Sequence, residues 1–178
     1  MKSFRFISAV AALAVFVPVF TSCDKDNNDE DEPSAGDDNN VEVVDNLAGT
    51  YSGSMDYSVG NMGAGTITGE YELTIIEDES DKDNVTVVIP SCSFVPPIPN
   101  AQQFTIPELT VTDVDVTTDG EEYTLEKDSF TISIEEKDYK GNKLTGTVKG
   151  TEINIRYQLT PGGMPWPIVF TFSGTINK

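Results

Sequence analysis

"LAGTYSGSMDYSV", residues 47–59, puts Leu47, Tyr51, Met55, Tyr57 and Val59 in one phase of a two-residue alternation. Thr50, Ser52, Ser54, Asp56 and Ser58 fall in the other. Successive side chains of a strand point to opposite faces, so this pattern is a strand with one buried and one wet face. The phase recurs in "TITGEYELTII" (66–76), with Ile67, Tyr71, Leu73 and Ile75 opposed to Thr68, Glu70, Glu72 and Thr74. "NVTVVI" (84–89) supplies Val85, Val87 and Ile89, and "SFTISIEE" (129–136) supplies Phe130, Ile132 and Ile134. "EYTL" (122–125), "KLTGTVKG" (143–150), "TEINIRYQL" (151–159) and "PIVFTFSGTI" (167–176) complete the set. In "ELTVTDVDV" (108–116) the alternation slips between Val111 and Val114, where a bulge is expected.

Turn residues separate these segments: "GNMGAG" (60–65), "EDESDKDN" (77–84), "TDGE" (118–121), "KDYKGN" (137–142) and "PGGMPWP" (161–167). Short connections pair sequence neighbours antiparallel, and no stretch carries a helical period. A meander of this length closes into a barrel or folds into a sandwich. Gly49, Gly53, Gly69, Gly146 and Gly174 fall in the apolar phase, where they let strands coil sharply. The expectation is therefore an all-β domain over 47–178, an antiparallel up-and-down barrel of eight strands, with nine as the alternative.

Eight strands leave an interior that side chains just fill, or that holds one small ligand. Both outcomes stay open on the sequence. A cavity would be lined by Phe130, Phe170 and Phe172, with the hydroxyls of Tyr51, Tyr57, Tyr71 and Tyr157 as polar handles, and would suit a hydrophobic compound. Two connections are apolar where loops are ordinarily polar: "SFVPPIPNAQQF" (93–104), with Phe94 and Ile98, and "PGGMPWP", with Met164 and Trp166. Sharing one rim, they would form a portal or docking patch; the alternative is that they fold over and plug the barrel end.

Composition removes several chemistries. The chain has no histidine, which excludes Ser-His-Asp and Cys-His centres and His-ligated metals. Residues 47–178 hold 20 acids against 8 bases, so nucleic-acid binding is excluded on charge. No nucleophile elbow or phosphate loop is present, and the reading is of a protein that is not an enzyme and has no cofactor, metal or catalytic residue. "DKDNNDEDE" (24–32) begins like a calcium loop, but Asp29 stands at the glycine position and Ala35 at that of the bidentate Glu. Cys92 reads as a small buried hydrophobe.

The N-terminus has its own pattern. MKSFR is basic, and the next fifteen residues, to Phe20, carry no charge. That run is shorter than the roughly 20 residues a membrane span needs, and small residues follow it, as in a secretory signal peptide. Phe20-Thr21-Ser22-Cys23 resembles the lipobox of bacterial lipoproteins in the relaxed form of Bacteroidetes. The resemblance implies cleavage after residue 22 and acylation of Cys23, which would anchor the chain to the membrane without crossing it. Residues 24–40 carry eight acids and one lysine with no apolar period, which predicts a disordered tether over 23–46. Acids directly after the cysteine resemble the export signal of surface lipoproteins, which implies the outer membrane and its outer face, with the periplasmic face as the alternative.

"LAGTYSG", "GTVKGTEINI" and "FTFSGTI" together resemble the calycin-like, lipocalin-like β-barrel lipoproteins of gut Bacteroidetes over most of 47–177. Where the wider lipocalin signature has Gly-x-Trp, this chain has Gly49-Thr50-Tyr51. The expected function is that of a lipid-anchored envelope protein whose barrel binds a small hydrophobic ligand. The alternative is a structural or adhesive module that binds another envelope protein or a host molecule through its apolar loops.

Overall fold

The computed structural model describes residues 47–97, 99–162 and 166–177. The signal peptide, Cys23 and tether expected in 1–46, and Ile98 and Met164 of the loop patch, lie outside them. Ten strands are present in this region: β1 (Gly49–Val59), β2 (Ala64–Glu77), β3 (Asn84–Ile89), β4 (Cys92–Phe94), β5 (Phe104–Ile106), β6 (Leu109–Asp119), β7 (Glu122–Ile134), β8 (Lys137–Lys149), β9 (Glu152–Pro161) and β10 (Ile168–Ile176). Eight of them close a barrel in the order β1-β10-β9-β8-β7-β6-β3-β2, and β4-β5 form a separate two-stranded sheet. Every neighbour pair in the barrel is antiparallel. The eight-stranded meander barrel is therefore present, with one hairpin inserted between β3 and β6.

The alternation read from the sequence is the alternation of burial. Tyr51, Met55, Leu73, Ile75, Ile153, Ile155, Tyr157, Phe170 and Phe172 are at most 1% exposed, which makes them the floor and walls of one core. The slip between Val111 and Val114 is a bulge: Val85 pairs Val114 and Val87 pairs Val111, so β6 spends one extra residue, and Asp113 takes a φ of 52° there. At the closest point of the wall, Gly53 faces Gly174 across β1 and β10. A Cβ on Gly53 would collide with the Ser173 carbonyl oxygen, so a side chain there would force the strands apart.

Three local readings are corrected. "EYTL" and "SFTISIEE" form one continuous strand, β7, paired along its length with β8. "KDYKGN" is not a turn but the first half of β8, with Tyr139 buried and Phe130 lying over Gly141. The actual turn is Glu135-Glu136, both at positive φ (48° and 63°), the primed geometry that joins two strands by two residues. Finally, "SFVPPIPNAQQF" is not a plain loop, because it contains most of the β4-β5 hairpin.

That hairpin continues the β3-β6 ladder across a break. Ile89 pairs Leu109 in the barrel, and Cys92 pairs Ile106 in the hairpin. Pro90 and Pro107 fall between these two pairs, one on each arm. Proline has no N–H to give a ladder, so the sheet is interrupted on both sides at once and bends there.

Candidate functional site

The strand directions fix what lies at each end. β1, β3, β7 and β9 run toward one end, where the β1-β2 turn, the β4-β5 hairpin, the β7-β8 turn and the connection carrying Trp166 gather. The opposite end, the base, holds Leu47, where the described domain begins, and the last residues of β10. The two apolar connections singled out in the sequence therefore share one rim.

At that rim the hairpin folds inward. Cys92, Phe94 and Ile106 are 4%, 6% and 1% exposed and belong to the same core as the barrel strands. Phe94 is the stopper. Its ring lies 4.3 Å from Tyr57, 5.8 Å edge-on from Phe170 and 6.1 Å edge-on from Phe104, centroid to centroid. Below it Phe170 stacks on Tyr157 at 5.2 Å. Tyr57 Oη donates to the Val95 carbonyl at 2.9 Å, which ties the hairpin to β1. The base is closed from the other side, where Tyr51 Oη donates to the Leu47 carbonyl at 2.7 Å and both residues are buried.

The expected ligand-lining residues thus separate into two groups. Tyr51, Tyr57, Tyr157, Phe170 and Phe172 converge in the interior and fill it against one another. Tyr71 and Phe130 are only partly buried. Tyr71 sits where β2 has parted from β3, whose ladder spans only Thr74–Glu77, and its hydroxyl donates to the Thr68 carbonyl at 3.2 Å. Of the loop patch, Phe94 is a core residue and Trp166 is 49% exposed. Val95, beside Phe94 and pointing the other way, is 53% exposed. Between β2 and β4 the rim opens a crevice of about 420 Å³ lined by Thr66, Ile67, Ser93, Val95 and Gln103.

The interior side chains are shielded from solvent and the ionisable groups among them respond to that. Burial, with nearby Tyr123 as the lesser cause, pushes the Tyr51 phenol up to about 12. Burial pushes the Cys92 thiol up to about 11, which makes it a poor nucleophile. Burial and then the neighbouring Cys92 push Tyr157 well above the usual phenol range. Tyr157 Oη is buried with no hydrogen-bond partner among the described residues, an orphan polar atom at the centre of an otherwise apolar core. Nothing in "NIRYQL" says whether a hydroxyl will meet an acceptor across the barrel, so this orphan has no sign in the sequence.

Among known proteins, the model of the calycin-like beta-barrel domain family matches residues 47–175. A crystal structure of a "putative outer membrane protein" from Bacteroides fragilis superposes with a TM-score of 0.61 at 25% identity, covering 73% of this chain and 51% of that one. This chain therefore corresponds to about half the length of that protein. The search of curated proteins returned no match.

Proposed function

Since this chain belongs to the calycin-like β-barrel domain family and its barrel is filled, we propose a non-enzymatic cell-envelope protein that works by presenting its outer surface and rim to another envelope protein. The observation that carries this is the stopper: with Phe94 seated on Tyr57 and Phe170, the interior holds aromatic side chains where a ligand would sit. The exposed Trp166 and Val95 stand at the rim, and Pro167 and Pro96, next to them in sequence, stiffen the chain and lower the entropic cost to a partner. Lipid attachment at Cys23, ahead of the acidic tether, would hold the barrel to the membrane by the chain that enters it at Leu47. The likeness to an outer membrane protein of Bacteroides fragilis supports an envelope location, and the acids after Cys23 support the outer face.

A second reading has one specific observation in its favour. The orphan Tyr157 hydroxyl lies under a hairpin that is joined to the barrel through Pro90 and Pro107. A hydrophobic compound with one hydrogen-bonding group would satisfy it if the hairpin lifted.

Native mass spectrometry of the protein extracted gently from its own membranes separates the two. The presenting-scaffold reading expects a chain that begins at Cys23, carries acyl mass there and holds nothing else. A stoichiometric hydrophobic compound released only on unfolding would overturn it and make the barrel a container. An N-terminus elsewhere, without acyl mass, would remove the anchor.

A further inference from the structure

We infer that the outer wall formed by β8, β9 and β10 is a binding groove for an anionic oligosaccharide, one bearing carboxylate or sulfate groups. The first observation is the distribution of charge. Residues 47–178 carry 20 acids against 8 bases, yet residues 140–147, 154–160 and 169–175 contain Lys140, Lys143 and Arg156 and no acid at all. The ladder sets these stretches side by side: Lys140 pairs Thr160, Asn142 pairs Gln158, Thr145 pairs Arg156, and Arg156 pairs Thr171. Acids rim the patch: on β7 Glu126 pairs Thr145 and Asp128, between the Lys127–Leu144 and Ser129–Asn142 pairs, stands opposite Lys143, while Asp56 on β1 pairs Thr171, and Glu136 and Asp138 share a depression with Lys140. Among the described residues none of the three cations forms an ion pair, whereas Lys82, Lys127 and Lys149 each do.

The second observation is shape. Two depressions of about 270 Å³ each open on this wall and share Thr145 and Arg156, so they form one groove across the strands. One contains Asn142, Lys143 and Gln158, and the other Thr124, Thr147 and Asn154. The groove is made by a bulge. Asn142 pairs Gln158 and Thr145 pairs Arg156, so β8 holds an extra residue there, and Lys143 sits at a φ of 51°. That conformation is uncommon for lysine, and a bulge is a device that re-aims a side chain. It turns Lys143 out into the groove while returning Leu144 to the core, fully buried.

The chemistry of the lining selects the occupant. Asn142, Asn154 and Gln158 bring amides and Thr124, Thr145 and Thr147 bring hydroxyls to the lining, beside the apolar surface of Gly146 and Ile155, and Asn154 Oδ1 accepts from Ser173 Oγ at 2.8 Å, which leaves its Nδ2 hydrogens for another acceptor. A protein partner would want a large apolar or aromatic anchor at the centre, and the exposed large hydrophobics among the described residues, Ile76, Val95 and Trp166, all lie off this wall. A nucleic acid would need many closely spaced phosphate contacts, against three cations on a strongly acidic domain. A sugar chain with spaced anions fits: the four residues separating Arg156 from the position opposite Lys140 span roughly 13 Å along the strand. This inference does not depend on whether the interior is filled.

The test is titration of the full-length, detergent-extracted protein with heparin-derived and polygalacturonate-derived oligosaccharides, with a dextran oligosaccharide as the neutral probe. Binding of either anionic probe and not of dextran is expected, weakening with salt. Sulfate-only or carboxylate-only binding would identify the source of the anion. The double variant Lys143→Gln/Arg156→Gln should lose roughly tenfold or more in affinity, as charge-assisted hydrogen bonds disappear. The control Lys82→Gln/Lys149→Gln makes the same change in net charge elsewhere and should bind as the parent does. Equal losses in both variants, equal binding of dextran, or no binding of either anionic probe at millimolar concentration would overturn the inference. All four substituted side chains are exposed, and an unchanged near-ultraviolet dichroism spectrum shows that each variant keeps its fold.

Discussion

Replacing Phe94 with alanine tests the closure of the barrel directly. The ring is 6% exposed and touches Tyr57, Phe104 and Phe170, so the substitution removes an almost fully buried aromatic and three ring contacts together. Buried Phe→Ala changes cost about 3–5 kcal/mol, the cavity left behind included. The lower part of that range applies here, because the hairpin is outside the barrel ladder and can settle partway into the space. A loss of about 3 kcal/mol in a domain of this size lowers the melting temperature by roughly 10 °C. Urea unfolding followed by near-ultraviolet dichroism, with thermal unfolding beside it, measures both. Val95→Ala is the control, since its side chain is 53% exposed on the other face of the same strand end. A Phe94→Ala loss below about 1 kcal/mol, or one matched by Val95→Ala, would refute the stopper, because no large-to-small change at a seated ring is that cheap.

Two further outcomes follow from the packing and the buried acids. Gly53→Ala puts a methyl into the Ser173 carbonyl and should cost about 1–3 kcal/mol by overpacking, read as a lowered melting temperature. Gly60→Ala, with open space around it and only a φ of 48° to resist it, should cost less; the reverse order would mean that β1 and β10 do not approach as described. Alkaline pH should destabilise the domain: Cys92, Tyr51 and Tyr157 keep their protons in the folded barrel beyond the pH at which an unfolded chain releases them. The folded state then binds more protons, so stability is intact below about pH 9 and falls as pH rises from there toward 12, by up to about 1.4 kcal/mol per pH unit for each group. Urea midpoints at pH 8, 9, 10 and 11 measure this, and a flat profile to pH 11 would show that these groups are not held in a dry core.

The barrel was legible because its strands are long and face the core on one side only. Eleven residues of β1 or nine of β10 carry enough alternation to fix both strand and inner face. The bulge in β6 was legible for the same reason, as a break in an otherwise regular phase. What was not legible is local. β4 and β5 have three residues each, too few for a period, and the prolines around them read as a stiff loop. The β7-β8 turn is Glu-Glu, without the Asn or Gly that primed turns favour, while Asp138, Gly141 and Asn142 mimic turn chemistry inside a strand. There the packing of Tyr139 and of Phe130 over Gly141 overrides local preference. The β8-β10 wall is a third kind of case: its residues are ordinary strand exteriors one by one, and only the register lays Lys143 near Arg156.

The two ends of the barrel are closed by different means, and the difference decides where the interior could ever open. The base is shut by Leu47, two residues before β1, whose carbonyl accepts the Tyr51 hydroxyl; that closure is continuous with a strand paired on both sides. Opening it means unzipping β1, which costs the barrel itself. The mouth is shut by a hairpin whose ladder ends on both arms at a proline and which is tied to β1 by the Tyr57 hydroxyl and the Phe94 ring. Lifting it leaves all eight barrel pairings intact. Any molecule that reaches Tyr157 must therefore enter at the rim and displace Phe94, and its gain on binding must exceed the aromatic contacts it breaks. The aromatic side chains that fill the barrel at rest are that competitor, and the rim and the wall are the surfaces proposed for recognition.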